Sequence, residues 1–206
     1  MYYSQYKQDE HIDKYFNQKI NGVFLDIGAG DGVIGSNSCF FEKERNWTGI
    51  CIEPSKIEYD QLKINRKCIT VECAICDKEG ESKFLEMDGY TKGLSGLVEH
   101  YNPQHKHRIE SERNHFNCPH QFRMVKTMPI QKILDQYNIF NIDFLSLDVE
   151  GAELSVLKTF DLNKTNIKLM TIENNYGETD VSNYLLNNGY KLLGKIAIDD
   201  VFVKKD

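Results

Sequence analysis

The sequence has no apolar run long enough to cross a membrane, no internal repeat and no linker-like stretch that would divide it. Positive charge is in deficit: 25 Lys and Arg stand against 31 Asp and Glu, a net charge of -6. That argues against nucleic acid or an anionic membrane as the main partner, because either calls for a basic face. The opening Met-Tyr-Tyr-Ser-Gln-Tyr lacks the apolar core of a secretory signal. The six cysteines, Cys39, Cys51, Cys68, Cys73, Cys76 and Cys118, show no paired framework. That argues against disulfides and for free thiols in a reducing, cytoplasmic setting. Two phosphate-binding motifs are missing as well. No Gly-Lys-Ser/Thr ending of a P-loop occurs, and Val33 stands where a dinucleotide fingerprint needs its third glycine. What is left is a chain of 206 residues with 40% hydrophobic content, enough for one α/β domain with a full core.

The organising stretch is Val23-Phe24-Leu25-Asp26-Ile27-Gly28-Ala29-Gly30-Asp31-Gly32. Val23 to Ile27 is short, apolar and partly β-branched, as a buried parallel strand is. The glycines after it demand a sharp turn at the strand's carboxyl end. Gly28 and Gly30 can take positive φ, and without Cβ atoms they let a ligand lie against the backbone. Asp26 before the turn and Asp31 within it repel a pyrophosphate. They favour a cation instead, such as the amino group or sulfonium of S-adenosylmethionine.

A helix is expected over Gln8 to Phe16, and another from Ser36-Asn37-Ser38 with Phe40 and Phe41 inward. Ser36 and Asn37 lie beside the glycine turn and either line the ligand site or, for Ser36, simply cap the helix. Strand two, Gly49 to Glu53, ends in a carboxylate, the place where open α/β sheets accept ribose hydroxyls. Pro54 stops it, and Ser55 and Glu58 form a capping box for the next helix. Strand three is expected over Thr70 to Ile75, where Cys73 and Ala74 leave room for a flat adenine. Cys73 and Cys76 have dithiol spacing, but no second pair follows, so a redox or zinc role is disfavoured. Gly80 to Glu86 reads as an extra strand.

Residues 88–124 hold five of the six histidines, His100, His105, His107, His115 and His120, with poor periodicity. They read as an irregular acceptor-side insertion, a lid or binding loop, inside one domain spanning residues 1–206. Solvated loop histidines are the default reading there. The alternatives are one histidine acting as base or acceptor contact, and a weakly spaced metal set of His115, Cys118 and His120. Beyond it, Pro129 suits a first helical position, with Ile130, Ile133, Leu134 and Tyr137 on one face. Asp143 to Gly151 is a second buried strand ending in carboxylates, and Lys168 to Asn175 a third. A helix capped by Thr179 or Asp180 closes at Gly189. Two strands joined at Asp199-Asp200 finish the chain as an antiparallel edge.

Asp26, Glu53, Asp148 and Glu173 each end a different expected strand, and in a doubly wound sheet these ends share one edge. Leu25 to Gly32, the Ser36-Asn37 pair, Glu53-Pro54 and Leu147-Asp148-Val149-Glu150-Gly151-Ala152-Glu153 together resemble the FkbM-type S-adenosylmethionine-dependent methyltransferases. The opening Ser4 to Asp9 is similar to that family's start, with Lys7 where glycine is common. The resemblance spans nearly the whole chain, loosely over residues 88–124. It implies a Rossmann-like class I methyltransferase fold with a seven-stranded, mostly parallel sheet, and O-methylation of sugars, glycans or other small hydroxylated metabolites.

On this reading Asp26, Gly28, Gly30, Asp31, Ser36, Asn37, Glu53 and Ala74 serve the cofactor, and Asp148, Glu150 and Glu173 serve the chemistry. A sugar hydroxyl is a poor nucleophile, so a base or a metal must help deprotonate it. Asp148, Glu173 and Asn174 offer hard oxygen ligands suited to Mg²⁺ or Mn²⁺. The alternative is that Asp148 and Glu150 bind cofactor or acceptor without metal. Rival readings are a nucleotide-dependent oxidoreductase, which the failed fingerprint opposes, and a non-catalytic binding module, which the intact turn and Glu53 oppose. N-methylation lacks an Asn/Asp-Pro-Pro-Tyr-like segment. The acceptor's identity and the oligomeric state stay open.

Overall fold

The computed structural model describes residues 1–205. The chain runs α1 (Gln8–Tyr15), β1 (Val23–Ile27), α2 (Cys39–Arg45), β2 (Thr48–Ile52), α3 (Lys56–Asn65), β3 (Ile69–Val71) and β4 (Ala74–Ile75). It continues through β5 (Gly80–Met87), β6 (Gly96–Leu97), α4 (Pro103–Phe116), β7 (His120–Met128) and α5 (Ile130–Tyr137). It ends with β8 (Asn141–Leu147), α6 (Glu153–Leu157), β9 (Asn166–Glu173), α7 (Asp180–Asn187), β10 (Tyr190–Ile196) and β11 (Asp199–Lys204). No described helix is long and apolar enough to cross a membrane.

Seven strands form the main sheet, in the order β10-β11-β9-β8-β1-β2-β3. β1 runs parallel to β2 and β8, and β8 to β9, while β11 is antiparallel to both β9 and β10. Alternate residues feed two cores, as the two-residue period of a strand requires. Leu25 and Ile27 pack with Ile130, Ile133 and Leu134 of α5 and with Val156 and Leu157 around α6. Phe24 faces the other way, onto Ile12 of α1, Phe40 and Phe41 of α2 and Leu62 of α3. Helices on both faces make the sheet doubly wound.

Register positions the site. Ile27 pairs with Ile52 on one side and with Leu147 on the other, and Leu147 pairs with Ile172. The next residue on each strand is therefore Gly28, Glu53, Asp148 or Glu173, four neighbours at one level. The strand order reverses at β1, so this row lies at the topological switch point, where open α/β sheets bind ligands.

Three expectations need correction. Thr70 to Ile75 is not one strand. β3 stops at Val71, and β4 joins a second sheet of order β4-β7-β5-β6. Residues 88–124 are not irregular: they contain β6, the 14-residue α4 and the start of β7, which pairs with β5 from Met87↔His120 to Gly80↔Thr127. Only His105 and Ile109 of α4 are buried, so its apolar stripe is too thin to read as a helix. The tail does not turn at Asp199-Asp200. Ala197, at φ +53°, makes the turn, and both aspartates are buried in β11. Lys7, standing where the resembling family favours glycine, has φ +64°, a conformation glycine adopts without Cβ strain.

Candidate active site

The turn after β1 is held by neighbouring strands. Gly28 N and Ala29 N donate to Ile52 O, and Asp148 N donates to Ile27 O. Gly28 has φ +87°, and a Cβ there would stand 1.7 Å from the Asp148 carbonyl oxygen. The glycine is thus fixed by strand packing. Gly30 differs: at φ +54°, its missing Cβ would meet only Glu58 Oε2, at 3.7 Å. The open side of Gly30 faces a cleft of ≈ 590 Å³. Ile52, Glu53, Cys73 and Ala74 form one wall, Asp148 and Glu150 another, and Tyr90, Lys92 and Leu97 the cover.

Glu53 is buried in this wall. Its Oε2 accepts from Gly30 N at 2.9 Å and its Oε1 from Ser55 N at 2.8 Å. Burial pushes its pKa from 4.5 up to about 7, against those two hydrogen bonds. Ser55 caps α3 as expected, accepting from Glu58 N. Glu58 does not return the bond within a box; it pairs with Lys92, 3.1 Å away in the turn Gly89–Leu94. Asp31 accepts from Val33 N and Ile34 N, both at 2.8 Å, and its other oxygen lies 3.9 Å from Lys92.

Asp26, Ser36 and Asn37 lie off the cleft lining. Asp26 alternates to the opposite face of β1 from Ile27 and accepts from the Ser38 hydroxyl. Ser36 Oγ accepts from Ser38 N and Cys39 N at the start of α2, and Asn37 Nδ2 donates to Ser146 Oγ. Arg66 ties this layer together, donating to Gly32 O at 3.0 Å and Ser38 Oγ at 3.1 Å. A single arginine in the loop after α3 left no pattern by which the sequence could mark it.

The row of strand ends brings Asp148, Glu150 and Glu173 together, with carboxylate oxygens within 4.8 Å of one another. Asp148 opens to the cleft. Its depth in the protein and the neighbouring Glu173 carboxylate raise its pKa well above the usual range. Burial also raises Glu173 to about 8, with the Glu150 charge adding to it. Glu150 is raised well above its ordinary value by burial and by Asp148. Its backbone sits at φ +55°, and its Oε2 has no hydrogen-bond partner. The loop is clamped by Glu153, whose Oε1 accepts from Val149 N and Gly151 N. Glu153 appeared in the sequence only as part of a motif.

Asn174 does not join the set. Its Nδ2 donates to Glu178 O and Asp200 Oδ2, and its Oδ1 accepts from Glu178 N. Both ends of the amide are spent on a turn. His115, Cys118 and His120 do not converge among the described residues. His105 is fully buried, its Nδ1 3.0 Å from Tyr176 Oη and 3.4 Å from Glu150 Oε2. Burial lowers its pKa, so at neutral pH the ring is uncharged. All six cysteines are free thiols.

A pH dependence follows. In each raised carboxyl the folded state keeps a proton that the unfolded chain has lost, so stability falls as pH climbs from the group's ordinary value through the folded one. For Glu53 that window runs from 4.5 to about 7, worth roughly 3 kcal/mol. Asp148, Glu150 and Glu173 act in the same direction. His105 opposes them below about pH 6.5, and the Cys118 thiol, lowered by its hydrogen bond with Thr91, opposes them below about pH 9. Urea midpoints of the metal-free protein should therefore drop between pH 5.5 and 8.5, and Glu53→Gln should flatten part of that slope. A rising midpoint would contradict these burial-driven shifts.

Comparison with known proteins adds to this geometry. The family model described as the methyltransferase FkbM domain matches residues 26–192. No curated protein matches the chain. Among solved structures, the FkbM methyltransferase of Methylobacillus flagellatus is similar at 15% identity and a TM-score of 0.50, over 89% of this chain. The present chain spans 43% of that protein's length. A TehB-like SAM-dependent methyltransferase from Corynebacterium glutamicum aligns with 98% of this chain and 89% of its own length, at 12% identity and a TM-score of 0.49.

Proposed function

The chain belongs to the FkbM methyltransferase family and has the class I methyltransferase fold, and from that premise we propose that it is an S-adenosylmethionine-dependent O-methyltransferase acting on a hydroxyl of a sugar, glycan or similar small metabolite. The observation that carries the O-methyl reading is the carboxylate cluster at the cleft: Asp148, Glu150 and Glu173 within 4.8 Å of one another, beside the glycine turn. A hydroxyl acceptor needs a group that removes its proton, and a raised carboxylate pKa suits that work near neutral pH.

The cleft fits a nucleoside cofactor. Gly30 presents backbone with open space before it, Glu53 offers a buried carboxylate to ribose hydroxyls, and Ile52, Cys73 and Ala74 line an apolar slot for adenine. S-adenosylmethionine supplies an electrophilic methyl group on a sulfonium. The protein's part is to hold the acceptor oxygen in line and to exclude water. Tyr90 and Ile34 stand largely exposed at the mouth, an apolar surface on which the face of a sugar ring packs. Lys92, pinned by Glu58, keeps the cover over the turn.

Asp148, Glu150 and Glu173 would also hold a Mg²⁺ or Mn²⁺ ion; the unpartnered Glu150 Oε2 and the mutual repulsion of the three acids both favour a cation among them. Such an ion supplies positive charge that lowers the pKa of a neighbouring hydroxyl.

Glu53→Ala should weaken binding of S-adenosylhomocysteine by roughly 1.5–3 kcal/mol, the range for hydrogen bonds to a charged group. Unchanged affinity in calorimetry would remove Glu53 from the ribose site. The acceptor class is tested by incubating the protein and S-adenosylmethionine with a panel of sugars and hydroxylated metabolites and following gain of one methyl group by mass spectrometry. Methylation confined to amine acceptors would overturn the O-methyl reading.

A further inference from the structure

A second set of converging donors lies outside the cleft. The Cys76 thiol, a Glu99 carboxylate oxygen and a His100 ring nitrogen lie within 4.8 Å of one another. Cys76 directly follows β4, where its N–H still bonds Met128 O, and Glu99 and His100 belong to the short turn Val98–His100. The two segments are 23 positions apart in sequence, so the fold has to bring them together. No part of the methyl-transfer reading uses any of the three.

One observation points into the space between them, and burial of the thiol beside it adds to it. His100 Nε2 is buried and has no hydrogen-bond partner. The Cys76 side chain is buried too, with its Sγ 3.2 Å from Asp77 Oδ1. Glu99, by contrast, is 58% exposed in its side chain, which leaves a path for an ion from solvent. Sulfur, imidazole nitrogen and carboxylate oxygen are the mixed donors that zinc accepts, whereas magnesium and calcium take oxygen alone.

We propose that Cys76, Glu99 and His100 form a Zn²⁺-binding site, separate from the carboxylate cluster of the cleft. Three protein ligands leave one tetrahedral position for water. Binding releases the Cys76 thiol proton to solvent, the hydrogen bond to Asp77 Oδ1 is given up, and the thiolate becomes the ligand. The ion ties the small sheet, through Cys76, to the turn at Val98–His100. That turn rests on the catalytic loop: a Cβ on Gly151 would lie 3.1 Å from His100 O, one residue from Glu150. The site is thus a clasp that holds the cover of the cleft against the loop carrying Glu150.

The test uses the full chain, stripped with a chelator, and Co²⁺ as a spectroscopic probe. Titration should develop a thiolate-to-cobalt charge-transfer band that saturates and then disappears when Zn²⁺ is added. Cys76→Ser should abolish the band, and His100→Gln should weaken Co²⁺ binding. Asp148→Asn should leave the band unchanged, since an all-oxygen site gives none; failure of the proposed catalytic cation is therefore distinguishable from failure of this site. Circular dichroism of the metal-free variants establishes that they are folded. If Cys76→Ser does not fold, His100→Gln and Glu99→Gln carry the test through their Co²⁺ affinity. Absence of the band in the wild-type chain, its survival in Cys76→Ser, or unaltered Co²⁺ affinity in His100→Gln would each overturn the proposal.

Discussion

Asp148→Asn should lower turnover by roughly 10²–10⁴-fold, the usual contribution of a positioned acid–base group, while affinity for S-adenosylhomocysteine stays near its wild-type value. The amide keeps the shape of the side chain and its place at the end of β8, but it cannot take a proton and is a poor partner for a cation. Because Asp148 lies against Glu173 and Glu150, removing its charge relieves repulsion among the three. The variant should therefore be more stable than the wild type at pH 8 without metal, a trade of stability against activity seen where acids are held close for function. Glu173→Gln should behave alike. Chelation should stop the wild-type reaction, and Mg²⁺ or Mn²⁺ should restore it. Full activity of a verified metal-free protein would remove the cation and leave Asp148 as general base. Undiminished turnover in Asp148→Asn would remove Asp148 from the chemistry.

The second large effect is on folding. Gly28→Ala should cost more than about 4 kcal/mol, in the range reserved for buried steric or cavity defects. Two independent causes act at this position. The φ of +87° disfavours any L side chain, and the added carbon would stand 1.7 Å from the Asp148 carbonyl of the adjacent strand. The Asp148 backbone directly follows β8 and is held to β1 by the bond from its N–H to Ile27 O, so it cannot swing aside without separating the two strand ends. Gly30→Ala is the control. Its φ of +54° costs about 1–2 kcal/mol, but its Cβ enters open cleft space, with Glu58 Oε2 as the nearest atom at 3.7 Å. That variant should fold and lose cofactor affinity. Circular dichroism and urea unfolding of the two should differ sharply. A Gly28→Ala protein as stable as Gly30→Ala would show that the glycine turn is not pinned by β8.

The same two glycines illustrate what could be read before the structure. The turn was legible because apolar strand, carboxylate and alternating glycines form a local pattern. Which glycine serves packing and which faces the cleft depends on a neighbouring strand more than a hundred residues away. Glu53, Asp148 and Glu173 were legible for a similar reason: each follows a buried strand, and parallel register carries strand ends to one edge. Asp26 ends the same kind of run but sits one residue earlier, so alternation turns it to the opposite face, onto Ser38. Glu150 replaces Asn174 in the cluster because the β8 loop folds back at φ +55°, a conformation no sequence pattern announces. Residues 88–124 read as irregular because a helix with two inward residues and a strand exposed along half its length carry little periodicity. Asn102 and Pro103 were the available signals: the Asn102 side chain caps α4 through His105 N, and Pro103 occupies its first turn.

The cofactor is decided by calorimetric titration of S-adenosylhomocysteine into the full chain, with NAD as the parallel ligand. One-to-one binding of S-adenosylhomocysteine, weakened in Glu53→Ala, and no heat with NAD are expected. Binding of NAD at the cleft, or no binding of S-adenosylhomocysteine by a folded protein, would contradict S-adenosylmethionine as the cofactor.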